Sequence, residues 1–252
     1  MQRLKCFARE RWWHLLAFLL PFLILGGVYA LFGIYPFGDK SVLIADLNSQ
    51  YVDYYSNFRD LLTEGGSLLY NWNAGMGLNY VGILSYYLMS PFSFLVLCFS
   101  KANITEAIAL MIVLKIGCSG LTFSILAKKK FDFTPVFCLL FSCLYALSSY
   151  AVVYTSNPMW LDTLILLPLL ILGIDAMVQK GRFLLFTVVL LCLFVTNYYL
   201  SYMVGIFAFL YFLAESIRAK NGLFVRRLGT FFAATLLSIG LAAVVLLILI
   251  GS

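Results

Sequence analysis

ITEAIALMIVLKIGCSGLTFSILA, residues Ile104 to Ala127, followed at once by Lys128, Lys129 and Lys130, is the stretch that decides the fold class. A helix needs about 20 predominantly apolar residues to cross the hydrocarbon core of a bilayer, and this run is long enough. Its basic flank is the mark of a cytosolic loop under the positive-inside rule. Working outward, the same pairing of an apolar run with a basic cluster recurs along the chain. Most of the 17 Lys and Arg residues fall into four groups: Arg3, Lys5, Arg9 and Arg11; Lys128 to Lys130; Lys180 and Arg182; and Arg218, Lys220, Arg226 and Arg227. With 63% hydrophobic and 11% charged residues over 252 positions, the chain reads as an integral membrane protein and not as soluble domains. The net charge of +6 is that of loops set between spans. Nucleic-acid binding, which needs bases gathered on one folded face, is not indicated.

Further spans are expected at Trp13 to Tyr35, Thr134 to Tyr154, Met159 to Val178 and Gly229 to Ile250. Phe183 to Ser216 is too long for one crossing and holds Thr196-Asn197-Tyr198-Tyr199 near its middle, so a tight hairpin of two short spans is expected there. No small-x-small cleavage site follows the first span, which reads as a retained anchor. The chain is then a multi-pass protein with a cytosolic N-terminus and about seven crossings. Val81 to Ser100 is apolar but interrupted by Ser90-Pro91, and a crossing there would turn every later basic cluster outward. It reads instead as a re-entrant or interfacial element, with Tyr86, Tyr87 and Phe92 among the membrane lipids at headgroup depth. The fold class is therefore an all-α polytopic bundle: residues 37–100 form an outer loop with amphipathic and re-entrant helices, and residues 101–252 form the bundle. The apolar run up to Gly251-Ser252 suggests an N-terminal part of a longer protein.

The six cysteines show no CxxC spacing and read as small core hydrophobes. The single histidine, His14, sits beside Trp12 and Trp13 and reads as an interfacial residue. No metal-ligand cluster, Walker loop or nucleophile elbow is present. The outer loop collects Asp39, Asp46, Asp53, Asp60 and Glu64; a divalent ion is conceivable, yet no ligand spacing points to one and no cofactor is assigned. Within the loop Leu47, Tyr51, Tyr54 or Tyr55, Phe58 and Leu61 or Leu62 recur at helical spacing, opposite Asp46, Gln50, Asp53, Asn57 and Asp60. Asp46 lies at the start of this amphipathic helix. As an N-cap it would accept backbone N–H bonds; as a general base it would take a proton from an acceptor hydroxyl. Lys115, near the middle of its span, needs a partner or a wet cavity, and Asp162 near the start of its own span is an available counter-charge.

Asp46-Leu-Asn-Ser-Gln50-Tyr51, then Asn71-Trp72-Asn73-Ala-Gly75-Met-Gly77, then Ser85-Tyr86-Tyr87-Leu-Met-Ser90-Pro91-Phe92, then Trp160-Leu-Asp162 and Asn197-Tyr198-Tyr199 together resemble the bacterial YfhO family along essentially the whole chain. The resemblance implies a fold related to the GT-C glycosyltransferases. It implies an inverting enzyme on the outer face that takes a sugar from a polyprenyl-phosphate donor and adds it to an envelope polymer such as lipoteichoic acid. Asp46 matches the placement of the catalytic acidic residue of GT-C enzymes, which favours the base over the cap. Gln50, Tyr51, Asn71, Trp72, Asn73, Trp160, Asp162, Asn197 and Tyr198 become substrate-binding candidates. Lys115 joins them from membrane physics as a stabiliser of the phosphate charge. The competing readings are a transporter or flippase for a lipid-linked sugar and a noncatalytic scaffold of a glycosylation complex. A transporter favours inverted repeats, which are not seen.

Overall fold

In hydrocarbon every backbone N–H and C=O must find its partner within its own segment, so the apolar runs become helices. The computed structural model describes residues 2–67, 69–72, 76–219 and 222–250, with side chains described between Trp12 and Ala243 apart from Leu78. The helices are α1 (Gln2–Leu31), α2 (Val52–Thr63), α3 (Tyr80–Ile83), α4 (Ile104–Phe131), α5 (Pro135–Ala146), α6 (Ser149–Val153), α7 (Leu161–Lys180), α8 (Leu184–Thr196), α9 (Tyr198–Arg218) and α10 (Phe224–Ile250). The β structure among the described residues is one hairpin, Tyr70–Asn71 against Leu78–Asn79, antiparallel with Tyr70 opposite Asn79, and an isolated bridge between Ile34 and Lys40.

Five segments are long and apolar enough to cross a membrane: Trp12–Leu31, Lys101–Phe131, Pro158–Lys180, Tyr198–Arg218 and Phe224–Ala243. A further crossing is bent, because Pro135–Ala146 and Ser149–Ser156 meet at 42°, with Ser148 capping the second piece by accepting from Ala151 N–H. The hairpin expected between Phe183 and Ser216 forms, but unevenly. α9 has 21 residues while α8 has 13 and reaches only about 20 Å at 1.5 Å per residue.

The direction of each helix follows from its contacts. α1 runs antiparallel to α4, with His14 Nδ1 and Ser124 Oγ 2.7 Å apart. At the same end Lys130 of α4 bonds Asp175 near the end of α7 at 2.9 Å and approaches Glu215 near the end of α9 at 3.6 Å. Tyr211 of α9 donates to Asp175 Oδ1 at 2.8 Å. Phe231 near the start of α10 packs on Phe186 near the start of α8 and on Phe212. One end of the bundle, the basic end, thus carries the Lys128 to Lys130 cluster and the starts of α1, α8 and α10; the described residues between 32 and 103 gather at the opposite, loop end. Lys220 lies outside the described residues.

The segment after the hairpin does not cross. Tyr80–Leu88 and Pro91–Cys98 meet at 100°. Both of its ends lie on α2: Tyr80 OH donates to Tyr54 O at 3.4 Å and Arg59 Nε donates to Phe99 O at 2.8 Å. The reversal is encoded locally, since Ser90 Oγ accepts from Phe92 N–H and Pro91 takes the first helical position of the second arm.

Helices in lipid gain little from apolar burial against one another, so small residues that permit close approach set the crossings. A Cβ on Gly120 would lie 2.3 Å from Ala17 O, and one on Gly173 would lie 2.7 Å from Phe186 N. His14 is therefore part of the α1–α4 contact: it bonds Ser124 and the adjacent Trp13 is buried, while Trp12 is exposed. Cys98, Cys118, Cys138, Cys143 and Cys192 are free thiols; the side chain of Cys6 is outside the description. Gly120→Ala is expected to lower stability by about 1–3 kcal/mol by forcing α1 away from α4. Gly205→Ala, whose Cβ meets nothing within 4 Å, is expected to change it little, and thermal unfolding in detergent measures both.

Candidate functional site

The loop-end surface is built on a buried ion pair. Lys115 Nζ lies 2.7 Å from Asp162 Oδ2 and donates to Pro158 O at 2.9 Å; the lysine has no exposed surface and the aspartate 3%. Asp162 Oδ1 accepts from Ser90 Oγ at 3.0 Å. The Phe92 ring lies 5.5 Å below the ammonium. A charge this deep is costly unless each of its bonding positions is filled, and here α4, α7 and the re-entrant turn supply the partners together.

Above this pair the re-entrant segment carries a continuous band of rings. Tyr51 and Tyr54 of the α2 arm each lie 5.0 Å from Tyr87, and Tyr87 lies 4.6 Å from Tyr86. Tyr86 meets Tyr198 edge-on at 5.6 Å and Tyr199 at 6.4 Å. Tyr199 stacks on Trp160 at 6.4 Å, and Trp160 reaches Tyr154 at 4.9 Å. Asn197 fixes the middle of the band, accepting from Leu200 N–H at 2.9 Å and donating to Tyr86 O at 3.4 Å. Trp160 Nε1 is buried with no hydrogen-bond partner.

Asp46 stands at the other end of the band. It occupies the cap position of the wide turn Leu47–Tyr51 that leads into α2, yet its side chain makes no capping bond. The carboxylate is exposed and accepts from Tyr51 OH at 3.4 Å. Burial, with the Tyr87 phenol and the Asp46 carboxylate beside it, pushes the Tyr51 phenol well above its ordinary range, so it remains a donor. The expected stripe on α2 forms: Leu47, Tyr51, Tyr55 and Phe58 are buried, while Asp46, Gln50 and Asp53 are exposed. Asp60 bonds Lys101 and lies 3.6 Å from Arg59.

Of the residues singled out from the sequence, Asp46, Tyr51, Trp160, Asn197 and Tyr198 share this surface, with Gln50 exposed one turn from Asp46. Lys115 and Asp162 lie beneath it and point to each other. Asn71 is elsewhere: 6% exposed, it donates to Asn57 Oδ1 at 2.6 Å and ties the hairpin to α2. Trp72 is 77% exposed on the hairpin, edge-on to Tyr70. Asn73 and Gly75 lie outside the described residues. Sequence reasoning passed over the Lys130, Asp175, Tyr211 and Glu215 network at the basic end. Its signal was an acid, Asp175, inside an apolar run, the same criterion that drew attention to Lys115. Among the described residues no three His, Cys, Asp or Glu side chains converge as a metal site would require.

Residues 17–250 match the family model described as bacterial membrane protein YfhO. No curated protein and no solved structure matches the chain.

Lys115→Ala should destabilise the protein by about 3–5 kcal/mol, because it strands the Asp162 carboxylate in a dry interior. Replacing both residues, Lys115→Met with Asp162→Leu, should cost less than either single change, as measured by thermal unfolding of the purified protein; additive losses would show that the pair carries no coupling.

Proposed function

Since the chain belongs to the YfhO family of bacterial membrane proteins, we propose that it is a membrane glycosyltransferase whose reaction takes place at the loop end of the bundle. The donor is a polyprenyl-phosphate-linked sugar and the acceptor a hydroxyl of an envelope polymer such as lipoteichoic acid. The observation that carries this reading is the exposed Asp46 carboxylate, free of any capping bond, at the edge of the tyrosine band. Aromatic faces suit sugar rings, and a carboxylate beside them suits proton abstraction.

Asp46 takes the proton of the acceptor hydroxyl as its oxygen attacks the anomeric carbon. The bond from that carbon to the carrier phosphate breaks, the configuration inverts, and the lipid phosphate leaves with the bonding electrons. Tyr51 holds the carboxylate by its hydrogen bond. Lys115 is assigned a positioning role, differing from the phosphate contact expected of it, since Asp162 and Pro158 enclose its ammonium. The positive-inside rule makes the basic end cytosolic, which sets the N-terminus inside and the site at the outer leaflet of the bacterial membrane.

Asp46→Asn is expected to lower sugar transfer about 10²–10⁴-fold, the range a general base contributes, at unchanged membrane levels. Tyr51→Phe should lower it only severalfold, as loss of one hydrogen bond does. Sugar on the envelope polymer in cells carrying each variant measures both, and full transfer by Asp46→Asn would remove the proposed base. For orientation, a cysteine in place of the exposed Lys129 should resist a membrane-impermeant thiol reagent in whole cells and react in inverted vesicles.

A further inference from the structure

Between α1 and α4, near the loop end, lies a half-open cavity of about 680 Å³ lined by Gly26, Gly27, Tyr29, Phe99, Asn103 and Glu106, among others. Its volume is typical of a site for a drug-sized molecule. The α1 wall is itself open to the surroundings: Leu23, which lines the space, and Ile24 beside it are exposed. Gly26 and Gly27 leave room along that wall, since a Cβ on either would meet nothing within 4 Å. The lining is mostly apolar, with Tyr29, Tyr35 and Asn103 among its polar residues and Glu106 as its one charged residue. Glu106 Oε2 is buried and has no hydrogen-bond partner.

A buried, unpaired carboxylate oxygen calls for a donor, preferably a cationic one. The bases on neighbouring segments do not supply it, since Lys101 and Arg59 both turn to Asp60. Lys40 lines a small recess together with Glu106, Ser41 and Thr105, and it has no ion pair among the described residues. Tyr35, Glu106 and Ala109 line both the chamber and this recess, so the base stands in the recess that adjoins the acid's end of the chamber, at the depth where tyrosines mark the membrane interface.

We propose that this chamber is a site for an amine-headed phospholipid: its ammonium bonds Glu106, its phosphate faces Lys40, and one acyl chain fills the space between α1 and α4. The charge pattern selects the occupant. A zwitterionic ethanolamine head offers a donor to the acid and an anion to the base. A polyprenyl phosphate offers only acceptor oxygens, which Glu106 repels. The site is separate from the tyrosine band and does not depend on the reaction assigned there.

The test is retention of lipid by the purified protein from micelles holding equal amounts of dioleoyl phosphatidylethanolamine and dioleoyl phosphatidylglycerol, counted by native mass spectrometry. Ethanolamine lipid is expected to be retained roughly tenfold over glycerol lipid, as one charge-assisted hydrogen bond allows. Glu106→Gln should abolish that preference while lipid is still retained. Gly27→Leu, which fills the chamber, should abolish retention of both. Equal retention of the two lipids by the unmodified protein overturns the proposal, as does a preference that survives Glu106→Gln. A third arm with undecaprenyl phosphate overturns it if that lipid displaces the ethanolamine lipid. Should Gly27→Leu fail to fold, the Glu106→Gln comparison decides alone.

Discussion

A lysine and an aspartate with almost no access to water hold each other at 2.7 Å, and the loop end of the molecule is arranged around that contact. Each charge alone would be intolerable at this depth, so the pair imposes conditions on everything near it. α4 and α7 must meet at this level, Pro158 must turn its carbonyl inward, and the re-entrant turn must bring Ser90 to the free carboxylate oxygen. With Ser90 pinned, Tyr86 and Tyr87 on the arm before it are set against α2 on one side and the start of α9 on the other. The tyrosine surface and the exposed Asp46 are thus consequences of a contact that lies below them.

The sequence revealed features governed by length, depth or local chain chemistry. Apolar runs announced helices, Lys115 announced a partner, and Ser90-Pro91 announced a reversal, because each reading rests on a local rule. What stayed hidden was which face of each helix meets which neighbour. A helix apolar on all sides has no periodicity to betray its contacts. That His14 bonds Ser124 across the α1–α4 seam, and that Asn71 bonds Asn57, could therefore not be read from the chain. The cap position of Asp46 was legible, but its lack of a capping bond depends on the wide turn that follows it.

The two ends of the bundle are fastened differently. At the loop end one dry pair is surrounded by rings. At the basic end Lys130, Asp175, Tyr211, Glu215 and Arg218 form a chain of partly wet contacts linking α4, α7 and α9. Wet contacts of this kind are individually weak and yield to salt. The dry pair is shielded from salt, so the two anchorages differ in how they respond to ionic strength.

The shortness of α8 reaches beyond the protein. Lipid chains touching Leu184, Leu185 and Val188 meet an apolar column about 20 Å tall where the undisturbed hydrocarbon is about 30 Å thick. A span this short is met by local thinning of the bilayer, by snorkelling of flanking residues or by packing against another helix, so the thickness and elasticity of the bilayer enter the energy of the protein.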